Sequence, residues 1–427
     1  MTIAGIRARQ VYDSRGNPTI EAEVTLDSGA KGRVIVPSGA STGSHEALEL
    51  RDGDAARFRG RSVYKAIRNV ETIIASNLIG VSVPDLAEVD RMLIDLDGTP
   101  DKSRLGANAV LAVSAALAHA AADELGWPLY RYLGGNEGRE LPLPMMQVIG
   151  GGAHANRAID VQDFLVIPIG AGSFSECLEI LFNVYWSTGD VMKDRGKALG
   201  VADEGGFWPS FENNEEGLEI LMEGLKRAGY SPWEDAVLAL DIGANELYKD
   251  GKYRLDLEKQ SLTAPQLADL LESWTDRYPI LSIEDGMAED DWQGWELLTR
   301  RLGDRIQIIG DDLFTTDTER IGRGIDLGVA NAALIKMNQV GTVTETLEAI
   351  RLCQDSGYLP IVSGRSGDSE DVTHVHIAVA TNAGQIKNGS WARSCRLCKY
   401  NEEARIEEEL GAKAVWRGRQ IFSRFLS

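Results

Sequence analysis

Five short apolar runs in the second half of the chain each stop on a charged residue, and their order limits the possible folds more than any other feature. AVLALD ends at Asp241, ILSIED reaches Glu284, IQIIGDD reaches Asp311, ALIK ends at Lys336 and IVSGRS reaches Arg365. Short apolar runs closed by a polar residue read as strands covered on both faces, the kind found in parallel sheets. In a β/α barrel the strands run in one direction, so their C-terminal ends converge on one mouth. Three acids and two cations are then expected in one pocket. Unpaired, the three carboxylates would repel one another, and a bound divalent cation relieves this. Mg²⁺ fits best, because every candidate ligand is an oxygen and no His or Cys stands among them. Any one of these acids alone also reads as a cap on the following helix; the ordered series points to a shared site.

At 427 residues the chain exceeds one ordinary domain, which predicts an α/β fold with a large barrel and a smaller additional domain. The formal net charge of −21 argues against nucleic-acid or membrane partners, whose surfaces are themselves anionic. An anionic substrate must therefore be drawn in by local cations and metal. Neither a signal pattern nor a long apolar span stands out, so a cytoplasmic location is expected. Of four cysteines, two form Cys395-x-x-Cys398, with no second such pair to complete a tetrahedral metal site. Those two read as ordinary reduced thiols.

Alternation from Ile3 to Asp27, together with GRVIVP, predicts an antiparallel sheet at the N-terminus. Helical spacing runs from Val63 to Leu78 and from Ala107 to Leu125, the second segment being alanine-rich. His119, within it, reads as a partly buried structural histidine. Gly, Pro and charge concentrate between Tyr132 and Pro144, which places a boundary between an α+β domain, residues 1–135, and the barrel, residues 136–427. NEEARIEEELG, from Asn401 to Gly411, reads as a charged helix with its acids on a solvated face.

Two glycine-rich segments lie outside the strand ends. VPSGASTGSHEALELRD is suited to a tight loop over an anion or metal, with the Ser41 and Thr42 oxygens available, although a surface turn reads the same way. IGGGAHANRAIDVQDF and VADEGGFWP place His154, Gln162, Asp163 and Glu204 in apolar or glycine-rich settings that raise a carboxyl pKa.

With these segments in view the chain resembles the enolase family along nearly its whole length. The matching strings include PSGASTG, GANA, DEGGF, SIED, GDDL, RSG, GQIK and RIEEELG. The resemblance implies an enolase-type barrel with an N-terminal α+β capping domain, acting as a Mg²⁺-dependent lyase on a small phosphorylated carboxylate. It further implies two Mg²⁺ per site, one held by Asp241, Glu284 and Asp311 and one arriving with substrate. By the same resemblance Lys336 is the base and Glu204 the acid at the leaving hydroxyl. Lys387 steadies the substrate carboxylate, Arg365 and Ser366 contact phosphate, and Ser41 closes on the second metal. His154, Gln162 and Asp163 correspond to pocket residues, and the family habit implies a homodimer. Cations around Lys336, Lys387 and Mg²⁺ among them, are expected to lower its pKa toward neutrality.

Several positions depart from the family pattern. VSHRSGE becomes VSGRSGD, so Gly364 replaces a histidine, and QEF becomes Gln162-Asp163-Phe164. SIEDP becomes SIEDG at Gly286, RSER becomes RSCR at Cys395, and Trp391 stands where small residues are usual. Replacing His by Gly is expected to empty a volume beside the phosphate contacts. On that ground a specialised paralogue, such as a carboxyphosphonoenolpyruvate synthase of phosphonate biosynthesis, is favoured over an ordinary glycolytic enolase. An inactive scaffold is the third reading, opposed by the retained acids and lysines.

Overall fold

Strands Ile3–Tyr12, Pro18–Leu26 and Lys31–Ile35 form an antiparallel meander, and helix Ala107–Leu125 lies across it. The computed structural model describes residues 1–40, 43–83 and 85–426. Alanines along the helix leave its surface shallow, so helix and sheet approach closely. At Gly32 a methyl group would sit 1.9 Å from the Ala116 carbonyl oxygen, so only glycine permits this approach. His119 is partly buried and its Nε2 meets Thr373 Oγ1 at 2.9 Å, a contact that joins the helix to the barrel. Residues 64–78 are helical, with a π turn over Asn69–Ile74.

The second part is a closed eight-stranded barrel. Its strands are Leu143–Gly150, Asp163–Ile167, Val237–Asp241, Ile280–Glu284, Gln307–Gly310, Ala332–Ile335, Leu359–Ser363 and Gln385–Gly389. Pairing of the last with the first closes the cylinder. One strand breaks the expected common direction. Asp163–Ile167 runs antiparallel to both neighbours, with Asp163 opposite Asp241 and Ile167 opposite Val237. Asp163 therefore reaches the mouth from the beginning of its strand, whereas Asp241 and Glu284 reach it from the ends of theirs.

A two-stranded extension, Ala198–Val201 and Phe207–Pro209, is joined to the first barrel strand through Ile149 and Phe207. Its turn carries Asp203 and Glu204 over the mouth. The final long helix spans Ser394–Leu410 and so begins seven residues before the predicted segment. Its acids are not all solvated: Glu403 is fully buried and accepts from Asn388 Nδ2 at 2.6 Å. Among the described residues no helix is long and apolar enough to cross a membrane.

Candidate active site

The barrel mouth gathers Asp241, Glu284, Asp311, Lys336 and Arg365 around one cleft, which Lys387 also lines. All six are buried or nearly so. Lys387 Nζ donates to Asp241 Oδ2 at 3.0 Å and to Glu284 Oε2 at 2.8 Å, and lies 3.3 Å from Asp163 Oδ2. Lys336 pairs with Asp311, whose other oxygen accepts from Gln339 Nε2 at 3.0 Å. Asp241 also accepts from Gln162 Nε2 at 3.0 Å and from the Gly243 amide at 3.0 Å.

Those donors decide how the acids titrate. Burial opposes ionisation of Asp241, but Lys387, aided by a hydrogen bond from Glu284 and by Lys336, outweighs it and holds the carboxyl below its usual pKa. Glu284 has one such donor, and burial together with Asp241 pushes it well above the usual carboxylate range. An all-oxygen set of three buried acids, one of them unable to ionise comfortably unaided, suits a hard divalent cation. Asp285 supports the set from behind, accepting from the Asp311 and Asp312 amides, each at 2.9 Å. Asp285, Asp311 and Asp312 bring carboxylate oxygens within 4.8 Å of one another. Sequence reasoning passed over Asp285 and Asp312, although the doubled acids in SIED and GDD carried the signal.

On the opposite wall His154 Nδ1 lies 2.9 Å from Asp203 Oδ1, and its Nε2 lies 3.9 Å from Glu204 Oε1. Burial depresses the imidazole, but Glu204, Asp163 and Asp203 overcome this and raise its pKa to about 10. Asp163 is pushed up to about 6 by burial. Glu204 moves the other way from the expectation. Burial raises it, yet His154, Arg396, Lys387 and Lys336 together draw it below the ordinary value. Lys336 also departs from the expectation. Burial depresses it and Arg365 and Lys387 add to that, but the surrounding carboxylates, Asp311 first and then Glu284, outweigh them and its pKa is raised.

The departures have structural outcomes. Gly364 leaves no hole: a Cβ there would lie 2.6 Å from Asp368 Oδ2, so the Asp368 carboxylate occupies the space. Trp391 packs against Phe182 and Tyr400, with ring centroids 6.3 and 5.3 Å apart. Gly286 sits under Leu298, whose Cδ2 would be 2.6 Å from an added Cβ. Ser366 Oγ accepts from the Ala40 amide at 2.6 Å, and Arg365 pairs with Glu46. Both contacts tie the mouth to the N-terminal loop. Ser41 and Thr42 lie outside the described residues.

Residues 3–133 match the family description "Enolase, N-terminal domain", and residues 139–425 match "Enolase, C-terminal TIM barrel domain". The chain belongs to the enolase family. Enolases are Mg²⁺-dependent lyases acting on a small phosphorylated carboxylate. Among curated relatives, "Enolase 1" of Desulfitobacterium hafniense (strain Y51) is 54% identical over 424 residues, which cover 99% of this chain and 97% of the relative. This similarity favours an ordinary enolase over the specialised paralogue. Nothing in the comparisons singles out phosphonate chemistry, and the volume on which that preference rested is filled by Asp368.

Proposed function

We propose that the protein is an ordinary metabolic enolase that dehydrates 2-phosphoglycerate to phosphoenolpyruvate. The observation that carries this reading is the near full-length, 54% identity to a relative bearing the name Enolase 1. The cleft supports it by placing two lysines and three buried acids together at the barrel mouth.

Asp241, Glu284 and Asp311 would hold one Mg²⁺, and a second would arrive with substrate near Ser41. When bound, Mg²⁺ would supply positive charge against the negative charge that builds on the substrate carboxylate. Lys387 orients that carboxylate, while Arg365 and Ser366 hold the phosphate. Lys336 Nζ takes the α-proton; Arg365 and Lys387 favour its neutral form and Asp311 opposes it. At the β-carbon, Glu204 and His154 hold a carboxylate and an imidazolium side by side, and the proton they carry leaves with the hydroxyl as water. Gln162 and Asp163 keep Asp241 and Lys387 in place. A homodimer is part of this proposal and is checked by light scattering.

The reading is tested by incubating the protein with 2-phosphoglycerate and Mg²⁺ in deuterium oxide. Exchange of the α-proton together with phosphoenolpyruvate formation is expected. A protein that catalyses neither is a scaffold and not an enzyme. A second reading, the specialised synthase, keeps one specific observation in its favour, the shortened acid Asp163 facing Lys387. It requires that the enolpyruvyl product form only when an activated phosphonoformate is added.

A further inference from the structure

Helix Ser394–Leu410 sends Arg396, the last residue of the RSCR string, into the floor of the cleft. Arg396 is 1% exposed and lines the same cleft as Lys336 and Lys387. Its Nη1 donates to the Arg365 carbonyl at 2.6 Å and its Nη2 donates to the Ser366 carbonyl at 2.7 Å. Nη1 also lies 3.3 Å from Asp368 Oδ2, and the other oxygen of Asp368 accepts from Lys399 Nζ at 3.0 Å. Two successive carbonyls and a carboxylate are thus gripped by one planar guanidinium, a geometry that lysine cannot reproduce.

Two glycines make room for this grip. A Cβ at Gly389 would come within 2.8 Å of Arg396 Cδ, and a Cβ at Gly364 within 2.6 Å of Asp368 Oδ2. Asp368 is held by Arg396 and Lys399 together, so shifting it away from a side chain at 364 would disturb both contacts. Burying two cations and an acid is costly unless they are paired, as they are here. The gripped segment then continues to the N-terminal part, where Ser38 and Gly367 exchange amide bonds at 2.7 and 2.8 Å.

We infer that Arg396 is a positioning residue for phosphate binding: it fixes the backbone of Arg365 and Ser366, and Gly364 is glycine so that Asp368 can complete the clamp. This rests on the proposed phosphate role of Arg365 and Ser366. The bare backbone at 364 is then a fitted part of the phosphate seat, and restoring a side chain there damages it.

The test compares the native protein with Arg396→Lys and Gly364→Ala in Mg²⁺ buffer, using calorimetric titration with inorganic phosphate. Loss of one or two charge-assisted hydrogen bonds to the segment predicts phosphate affinity lower by about tenfold in each variant. Mg²⁺ affinity should stay within about twofold of native, since no ligand oxygen is touched, and helical circular dichroism should be retained. The double variant should bind phosphate no more weakly than Arg396→Lys alone, because both changes break one unit. With 2-phosphoglycerate the same defect should raise KM more than it lowers kcat. Unchanged phosphate affinity in folded Gly364→Ala overturns the inference, and so does a native protein that binds no inorganic phosphate. If Arg396→Lys does not fold, Gly364→Ala decides. Failure of the native protein to turn over 2-phosphoglycerate contradicts the proposed function alone, and the phosphate titrations still judge Arg396.

Discussion

Replacing Lys387 by Met removes one charge from a cluster in which Asp241, Glu284 and Asp163 all lie within 3.3 Å of it. At such separations each attraction is about 5 kcal/mol before desolvation, taking an effective dielectric near 20. Desolvation of the ions cancels most of that. What remains is the penalty of leaving buried carboxylates uncompensated, about 3–5 kcal/mol when one partner of a buried pair is lost. Relief comes by protonation: with the cation gone, the folded pKa values of Asp163 and Glu284 rise further above their unfolded ones, and Asp241 loses the cation that holds its own down. The folded state then binds more protons than the unfolded state, so stability falls as pH rises through the folded pKa. The variant should therefore melt below native at pH 6 and further below it at pH 8.5. Mg²⁺ offers the same acids another cation, so its addition should raise the variant's melting temperature by more than it raises the native one. Scanning fluorimetry at both pH values, with and without Mg²⁺, measures all four differences. A variant that melts with the native protein at pH 8.5 without Mg²⁺ refutes the claim that Lys387 neutralises these acids.

Other variants probe separate parts of the account. Lys336→Ala should abolish exchange of the substrate α-proton while Mg²⁺ binding remains measurable; exchange near the native rate would assign the base elsewhere. Asp311→Asn, which removes a charge from the proposed metal set, should abolish turnover or sharply raise the Mg²⁺ requirement, and full native activity in excess chelator would contradict it. His374 is buried with Nε2 3.0 Å from Asn388 Oδ1, and burial depresses its pKa from 6.5 to about 4. Between those values the unfolded chain binds a proton that the folded one does not, so this contribution to stability is present above pH 6.5 and is lost toward pH 4. The loss is about 3 kcal/mol at 1.36 kcal/mol per pKa unit, and His374→Gln should flatten that part of a stability–pH profile.

The strand ends that carry Asp241, Glu284 and Lys336 were legible because an apolar run closed by a charge is a local signal. Strand direction is not. DFLVI has the same pattern read either way, so the reversed strand that brings Asp163 in from its first residue had no signature. Burial of Arg396, Lys399 and Glu403 was equally hidden, because their partners stand on segments distant in sequence, Asp368 and Asn388 among them. A hole was expected at Gly364 because a sequence does not show that the chain turns back four residues later to set Asp368 there. The raised Lys336 pKa has the same origin. Its charge balance depends on which carboxylate lies nearest, and that is settled only when the Gln307–Gly310 and Ala332–Ile335 strands are adjacent.

Steady-state turnover of 2-phosphoglycerate as the sole organic substrate, in saturating Mg²⁺, tests the central claim most directly. Phosphoenolpyruvate should form at a rate typical of metabolic enzymes, about ten per second, unchanged by adding an activated phosphonoformate. Proton exchange without product, followed by a new enolpyruvyl product once the phosphonoformate is supplied, would contradict it.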